Sequence, residues 1–362
     1  MKILYLLFSF TTGGTERLVT DICNEMVNRD HDIHLYVVND RYDQNMLAGL
    51  DSRVRVQLQK RQPGGGGKLE TLRLVADYIR KNGFEAVHCN SLAAPELLLL
   101  KPLCYPGVKI LHTIHDVGQY KTLGRVKVTL RNLLCSRFIA ISDCVNRDIV
   151  ANGEDARKVV TVYNAIDLTR FRPAEKRREH DGIRIGNVAR IMPEKKGQDV
   201  LIRAIARLKD FYPQLHCYFA GEADDAHQPH LAQLKALAQE LGVGDRVTFL
   251  GNVKDVPGFL ESLDVFVLPS RYEGFGISLL EAMAMGVPCI ASHLDGPAEI
   301  IQNGTYGELF PCGDDAALAG KLDALLQDRT GAAKRADRAK EMVRSHFDIR
   351  KMCDQLTTLY LS

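Results

Sequence analysis

The 362-residue chain has no tryptophan, no Cys-x-x-Cys pair among its nine cysteines and almost no net charge, +2 from 47 Lys and Arg against 45 Asp and Glu. Each absence excludes something. Nine unevenly spaced cysteines, an odd number, do not make a disulfide framework and fit a reducing cytosol, so a cytoplasmic location is expected. Without tryptophan and without any motif that interleaves aromatic and basic residues, nucleic acid is a poor partner. Apolar runs are short: Leu97–Leu100 is closed by Glu96 on one side and Lys101-Pro102 on the other, far from the ~20 residues of a membrane-spanning helix. The first ten residues, Met1 to Phe10, carry one lysine and an apolar stretch, as a short signal peptide would. No small-x-small cleavage site follows, and Thr11-Thr12-Gly13-Gly14 leads directly into an amphipathic pattern, so a buried first strand is expected.

What is present is an ordinary globular composition, 46% hydrophobic and 25% charged with 29 Gly and 13 Pro, which excludes disorder, collagen-like repeats and coiled coil. The length predicts two domains, since a single core of that size is unusual. The neutral total also divides unevenly. Residues 1–172 hold 24 Lys and Arg against 18 Asp and Glu, and the remainder 23 against 27, so the halves are suited to different partners.

Short β-rich apolar runs alternate with segments of helical period along the whole chain. In the first half strands are expected near 2–8, 33–38, 54–58, 86–89, 108–114, 137–141 and 158–162, with helices near 15–29, 68–82, 93–101, 123–134 and 143–152. The polar stretch 173–182 interrupts the pattern and reads as a linker. Strands then resume near 183–189, 214–220, 247–250, 264–268 and 288–291, with helices near 197–210, 229–241, 255–262, 277–285, 314–327 and 331–345. Such βα alternation predicts two doubly wound α/β domains, 1–172 and 183–345, able to face each other across a cleft, with the last helical segment, 349–362, returning to the first domain. Pro63 to Gly67 reads as a flexible loop and a candidate lid.

The densest motif runs from Leu268 to Pro288: a strand ends, Glu273-Gly274-Phe275-Gly276 turns, and a helix opens near Ile277 with Glu281 inside it. Glycines allow close backbone approach, and helix-start amides at Phe275, Gly276 and Ile277 suit a diphosphate. A second motif, Arg190 to Gly197, sets Arg190 at a strand end and Lys195 and Lys196 before a helix, where cations can neutralise a leaving diphosphate. Solvated surface is the plain alternative for isolated basic residues. Gly13-Gly14 follows the first strand without a Gly-x-Gly-x-x-Gly pattern. In Ile110-Leu-His112-Thr-Ile-His115-Asp116, strand alternation sends the two histidines to opposite faces, leaving His115 as the residue at the strand end. Asp30-x-Asp32 lies at the wrong edge for a metal-nucleotide site and reads as a turn.

Together, Glu273-x7-Glu281, Arg190 with Lys196 and Gly197, Gly13-Gly14, and Asn164-Ala-Ile-Asp167 with Phe171 resemble the retaining GT-B glycosyltransferases of family 4. The resemblance implies two Rossmann-like domains, a nucleotide-sugar donor (a UDP-sugar first) in the C-terminal one and a saccharide or lipid-linked acceptor in the other, with no cofactor and no metal. It implies Glu281 on the ribose, Glu273 on the donor sugar, and Arg190 and Lys196 on the diphosphate, with Lys195 adjacent. The amides following Gly274 and the backbone of Gly14 would also serve the phosphates, and His115 the transferred sugar. Gly221-Glu222-Ala223 and Asn164-Ala165 depart from the family's usual Gly-Glu-Gly and Asn-Gly without removing a charge. The basic and apolar residues of 121–137 suit an anionic membrane surface, with an ordinary amphipathic helix docked on the sheet as the plain alternative. A nucleotide-sugar epimerase and a non-catalytic nucleotide-sugar-binding partner are the alternatives.

Overall fold

The computed structural model describes residues 1–62, 67–174, 180–224 and 227–362. The chain forms two compact units, Met1–Ala165 with Ile349–Ser362, and Ile166–Asp348. The first is built on β1 (Lys2–Leu7), β2 (Asp32–Asn39), β3 (Arg55–Arg61), β4 (Ala86–Cys89), β5 (Lys109–Ile114), β6 (Arg137–Ala140) and β7 (Val159–Thr161). These pair in parallel in the order β3-β2-β1-β4-β5-β6-β7. Parallel strands covered by helices on both faces must be apolar on both, which is why β1 reads as a continuous hydrophobic run and Ile3 to Leu6 are wholly buried.

The final helix, Ile349–Leu361, belongs to this first unit. Tyr360 is fully buried, its hydroxyl 2.7 Å from that of Tyr5 and 2.6 Å from His88 Nδ1. His88 Nε2 in turn lies 2.6 Å from the Thr113 hydroxyl. Arg29, at the end of the helix Gly14–Asn28, reaches Asp354 and the Arg350 carbonyl at 2.5 and 2.7 Å.

The second unit carries β8 (Ile183–Val188), β9 (Leu215–Ala220), β10 (Val247–Gly251), β11 (Val265–Leu268), β12 (Cys289–Ser292) and β13 (Glu308–Phe310), in the parallel order β10-β9-β8-β11-β12-β13. Its core forms around the helix Gln198–Leu208, whose Val200, Leu201, Ile202, Ala204, Ile205 and Leu208 are buried against the sheet. In each unit the strand order reverses once, between β1 and β4 and between β8 and β11. Open α/β sheets bind ligands beyond the carboxyl ends of the strands flanking that reversal.

The structure departs from expectation at several points. The units divide at Ala165/Ile166 and Asp348/Ile349, whereas the polar stretch suggested 173–182. Ala174 N donates to Glu261 Oε1 and His180 lies 3.7 Å from Asp264, so the described ends of that stretch fold with the second unit. Residues 175–179 of the expected linker and 63–66 of the expected lid lie outside the described residues. Segment 93–101 is not one helix but a 3-10 turn, Ala94–Leu98, followed by Lys101–Cys104, because Pro95 and Pro102 each start a new turn. The helix Asp295–Ile301 and strand β13 escaped the sequence reading, the first behind its Gly-Pro, the second because three residues carry no period. Asp30 does take a left-handed turn conformation, φ 61°, and Asp32 opens β2 beside Lys2 and His34.

A buried carboxyl in the first unit yields a pH test. Glu154 is only 4% exposed. Burial pushes its pKa up to about 7, against the opposing pull of Tyr120 and Arg131. The folded state therefore favours the neutral acid, and stability present below the ordinary glutamate pKa is lost as pH rises from about 4.5 to 7. Glu154→Gln removes that loss. Thermal unfolding should show the variant gaining on wild type between pH 5 and pH 8, by something on the order of 2 kcal/mol; a difference independent of pH would contradict this.

Candidate functional site

The two strands flanking the reversal in the second unit end in turns that are pressed together. After β8 the chain runs through Arg190 into a single helical turn, Pro193–Lys196, then Gly197 and the helix Gln198–Leu208. After β11 it runs through Pro269 to Gly276 into the helix Ile277–Ala284. Gly197 adopts φ 64°, and a Cβ there would sit 1.9 Å from the Pro269 carbonyl oxygen. Only glycine satisfies both the left-handed backbone and the missing volume. Asn187 Nδ2 donates to the Val267 carbonyl at 2.9 Å from within the sheet, and Gln198 Nε2 donates to the Arg190 carbonyl at 2.8 Å.

This approach unites two of the predicted residues. Lys196 Nζ lies 2.8 Å from Glu273 Oε2, each side chain less than one-fifth exposed. The hydroxyl of the fully buried Ser270 donates to the same oxygen at 3.2 Å. Arg190, on the neighbouring loop, is exposed, and Lys195 is half-buried with its carbonyl turned to the 269–276 loop. Gly276 caps the next helix at φ 113°, and Ile277 is its first residue. Glu281 lies one turn inside, half-buried on a helix whose Leu279, Leu280, Ala282, Met283 and Ala284 are all buried. The Phe275 ring is core, 5.8 Å from the Phe347 ring, so its side chain is not presented to a ligand. Gly274 is held from behind: a Cβ on Gly296 would be 2.7 Å from its carbonyl oxygen and 2.9 Å from the Phe275 nitrogen.

Ser270, Gly296 and the pair Arg271–Asp199 were not legible as site residues. Arg271 donates to both oxygens of Asp199 at 2.7 Å. A serine and an arginine within Pro-Ser-Arg-Tyr look like turn residues until the partner is known. Gly296 follows the missed helix start and could have been found from Asp295-Gly-Pro after a strand.

The first unit places its predicted residues at the corresponding edge of its own sheet. Gly14 begins the helix Gly14–Asn28, and Gly13 caps it with extended backbone and no side-chain hydrogen bond. His115 directly follows β5. Burial pushes its pKa down to about 4, Asp116 only partly opposing, so the imidazole is neutral at neutral pH. Its Nε2 is enclosed with no hydrogen-bond partner among the described residues. His112 lies on the other face, towards Tyr120, its ring nitrogen 3.5 Å from that hydroxyl, while Thr113 faces His88. The two histidines diverge, as strand alternation requires.

Comparison with known proteins agrees with this architecture. The model of the glycosyl transferases group 1 family matches residues 166–345, and that of glycosyltransferase family 4 matches residues 12–170. A phosphatidyl-myo-inositol mannosyltransferase of Mycobacterium leprae is 30% identical over 286 residues, 76% of this chain and 73% of the relative. An N-acetyl-alpha-D-glucosaminyl L-malate synthase of Bacillus anthracis is 27% identical over 374 residues, 97% of this chain and 94% of the relative. Among solved structures, Alr3699/HepE of Anabaena in complex with UDP and glucose superposes with a TM-score of 0.88 at 24% identity, covering 99% of both chains. The fold is GT-B, two Rossmann-like domains. The chain belongs to the group 1 glycosyltransferases of the family 4 type and is a glycosyltransferase.

The close approach at Gly197 can be tested directly. Gly197→Ala should lower the unfolding midpoint in urea by the equivalent of about 2 kcal/mol or more, through strain and a clash with backbone. An unchanged midpoint would mean that the two turns are free to separate.

Proposed function

We propose that the protein transfers a sugar from a nucleoside-diphosphate donor, a UDP-sugar first, to a saccharide or lipid-linked saccharide, with retention at the anomeric carbon. The Lys196–Glu273 pair at the strand reversal carries this reading: an ammonium and a carboxylate 2.8 Å apart beside a helix start suit a diphosphate and sugar hydroxyls together. Arg190 and Lys196 take the diphosphate, joined by the amides after Gly274; Glu273 takes the sugar and Glu281 the ribose. In the first unit, His115 and the Gly13-Gly14 turn are the ligand-facing residues. The UDP and glucose of the Anabaena structure support the choice of donor.

In the reaction the bond from the anomeric carbon to the β-phosphate oxygen breaks, and the acceptor oxygen bonds to the same face. The acceptor's proton passes to the departing phosphate oxygen, so no protein nucleophile is needed. Negative charge grows on the diphosphate as the bond lengthens, and fixed cations stabilise that state more than the ground state. The reading uses no cofactor and no metal.

We place the acceptor at an anionic inner membrane face. Two relatives are named for lipid-linked products, the phosphatidyl-myo-inositol mannosyltransferase of Mycobacterium leprae and a lipopolysaccharide core biosynthesis mannosyltransferase of Rhizobium leguminosarum. The helix Arg125–Leu134, within 121–137, is apolar on two sides: Val128 and Leu134 are buried together with Arg131, while Val126 and Leu133 are 73% and 75% exposed. Lys121 and Arg125 are exposed beside this apolar stripe, which together suit an anionic interface.

Three measurements test these assignments. Thermal stabilisation by UDP-, GDP- and ADP-sugars identifies the base, since a ligand at about 100 times its Kd adds about 2.7 kcal/mol. Lys196→Ala and Glu281→Ala should each lower transfer at least about a hundredfold, equivalent to about 2.7 kcal/mol; wild-type rates in both would overturn the site. Sedimentation with vesicles rich in phosphatidylglycerol should carry the protein down, and Leu130→Ser/Leu133→Ser should release it; equal recovery with neutral vesicles would argue against an electrostatic surface.

A further inference from the structure

Lysine is a compact charge on a flexible four-carbon stem, so the position of an ammonium is decided by whatever fixes the backbone beneath it. For Lys196 that backbone is the single turn Pro193–Lys196, too short to hold itself. Its rigidity comes from the loop after β11. The Arg271 and Tyr272 backbone amides both donate to the Lys195 carbonyl, at 2.8 and 3.2 Å. The Arg271 guanidinium then spans the turn: Nη1 donates to the Pro193 carbonyl at 2.7 Å, and Nη1 and Nη2 donate to Asp199 Oδ1 and Oδ2, each at 2.7 Å. Pro193 opens the turn and Asp199 stands in the first turn of the helix beyond Gly197, so one side chain grips the segment on both sides of Lys196.

We infer that Arg271 is a positioning residue, which with Asp199 holds Lys196 in register with Glu273. The inference rests on the donor-site reading above. Among the described residues the guanidinium's hydrogen bonds go to Asp199 and the Pro193 carbonyl, not to the Lys196–Glu273 pair. A bidentate fork cannot be replaced by lysine, which offers one charge and no planar pair of donors. A salt bridge about one-third exposed adds little to overall stability, so its effect should be read in ligand binding rather than in melting temperature.

The test is a double-mutant cycle on the Kd of the nucleoside diphosphate selected by the donor screen, measured by calorimetry on the full chain. Arg271→Ala and Arg271→Lys should each weaken binding about tenfold, or about 1.4 kcal/mol. Asp199→Ala should do the same, and Arg271→Ala/Asp199→Ala should be no worse than either alone. The decisive arm is Arg271→Ala in a Lys196→Ala background, where the further loss should be less than about twofold because nothing is left to position. A tenfold loss in both backgrounds, or wild-type affinity of Arg271→Ala, overturns the inference. If Lys196→Ala itself binds like wild type, the donor-site reading fails instead, and the two failures are distinguishable.

Discussion

The second unit depends on one close contact, the packing of the turn after β8 against the turn after β11. Gly197 meets the Pro269 carbonyl with no room for a side chain. That contact brings residues 77 positions apart in sequence into an ion pair, Lys196 with Glu273, at the point where the strand order reverses. Charges left singly at that half-buried depth would lose solvation without a partner; paired, and with Ser270 donating to the same carboxylate, they are stable and still within reach of solvent.

Around this pair the structure is stiff by layers. The Lys195 carbonyl receives two backbone amides, the Arg271 fork locks the first turn of the following helix, and Gly296 packs against the backbone of Gly274. The helix that carries Glu281 is apolar almost all round, so its packing fixes the backbone from which that carboxylate projects. Preorganisation of this kind is what an electrostatic mechanism requires, because charges that must first reorient stabilise little. The first unit shows a parallel economy: Tyr360 on the final helix is stitched to Tyr5 and His88, which ties a segment distant in sequence to the centre of the sheet.

Much of this was legible in the residues. Strands such as β1, β2, β5 and β11 were legible from their apolar runs, because parallel strands buried on both faces are apolar throughout. His115, Arg190, Lys196 and Glu273 could be placed at carboxyl edges of their sheets because they follow strands within a few residues. Element ends and broken segments were less legible. Prolines split 93–101 into two turns, and a Gly-Pro that resembles a break proved to be the first turn of a helix at Asp295. Domain boundaries misled for another reason. The polar composition of 173–182 marks a run of charge, whereas the division between units falls where Ile166 bridges Asp348.

Local order in the sequence determined the alternation of strand and helix, the two-domain plan, the glycines at the turns and the chemical identity of the charged residues, since each rests on neighbours within a few positions. Only the tertiary structure decided which of those charges meet. That Lys196 pairs with Glu273, that Arg271 clasps Asp199, that the helix Arg125–Leu134 leaves Val126 and Leu133 exposed and that Glu154 is buried all depend on contacts between distant segments. No short-range pattern encodes a contact whose partner lies dozens of residues away; it exists once the sheet has set the order of its strands.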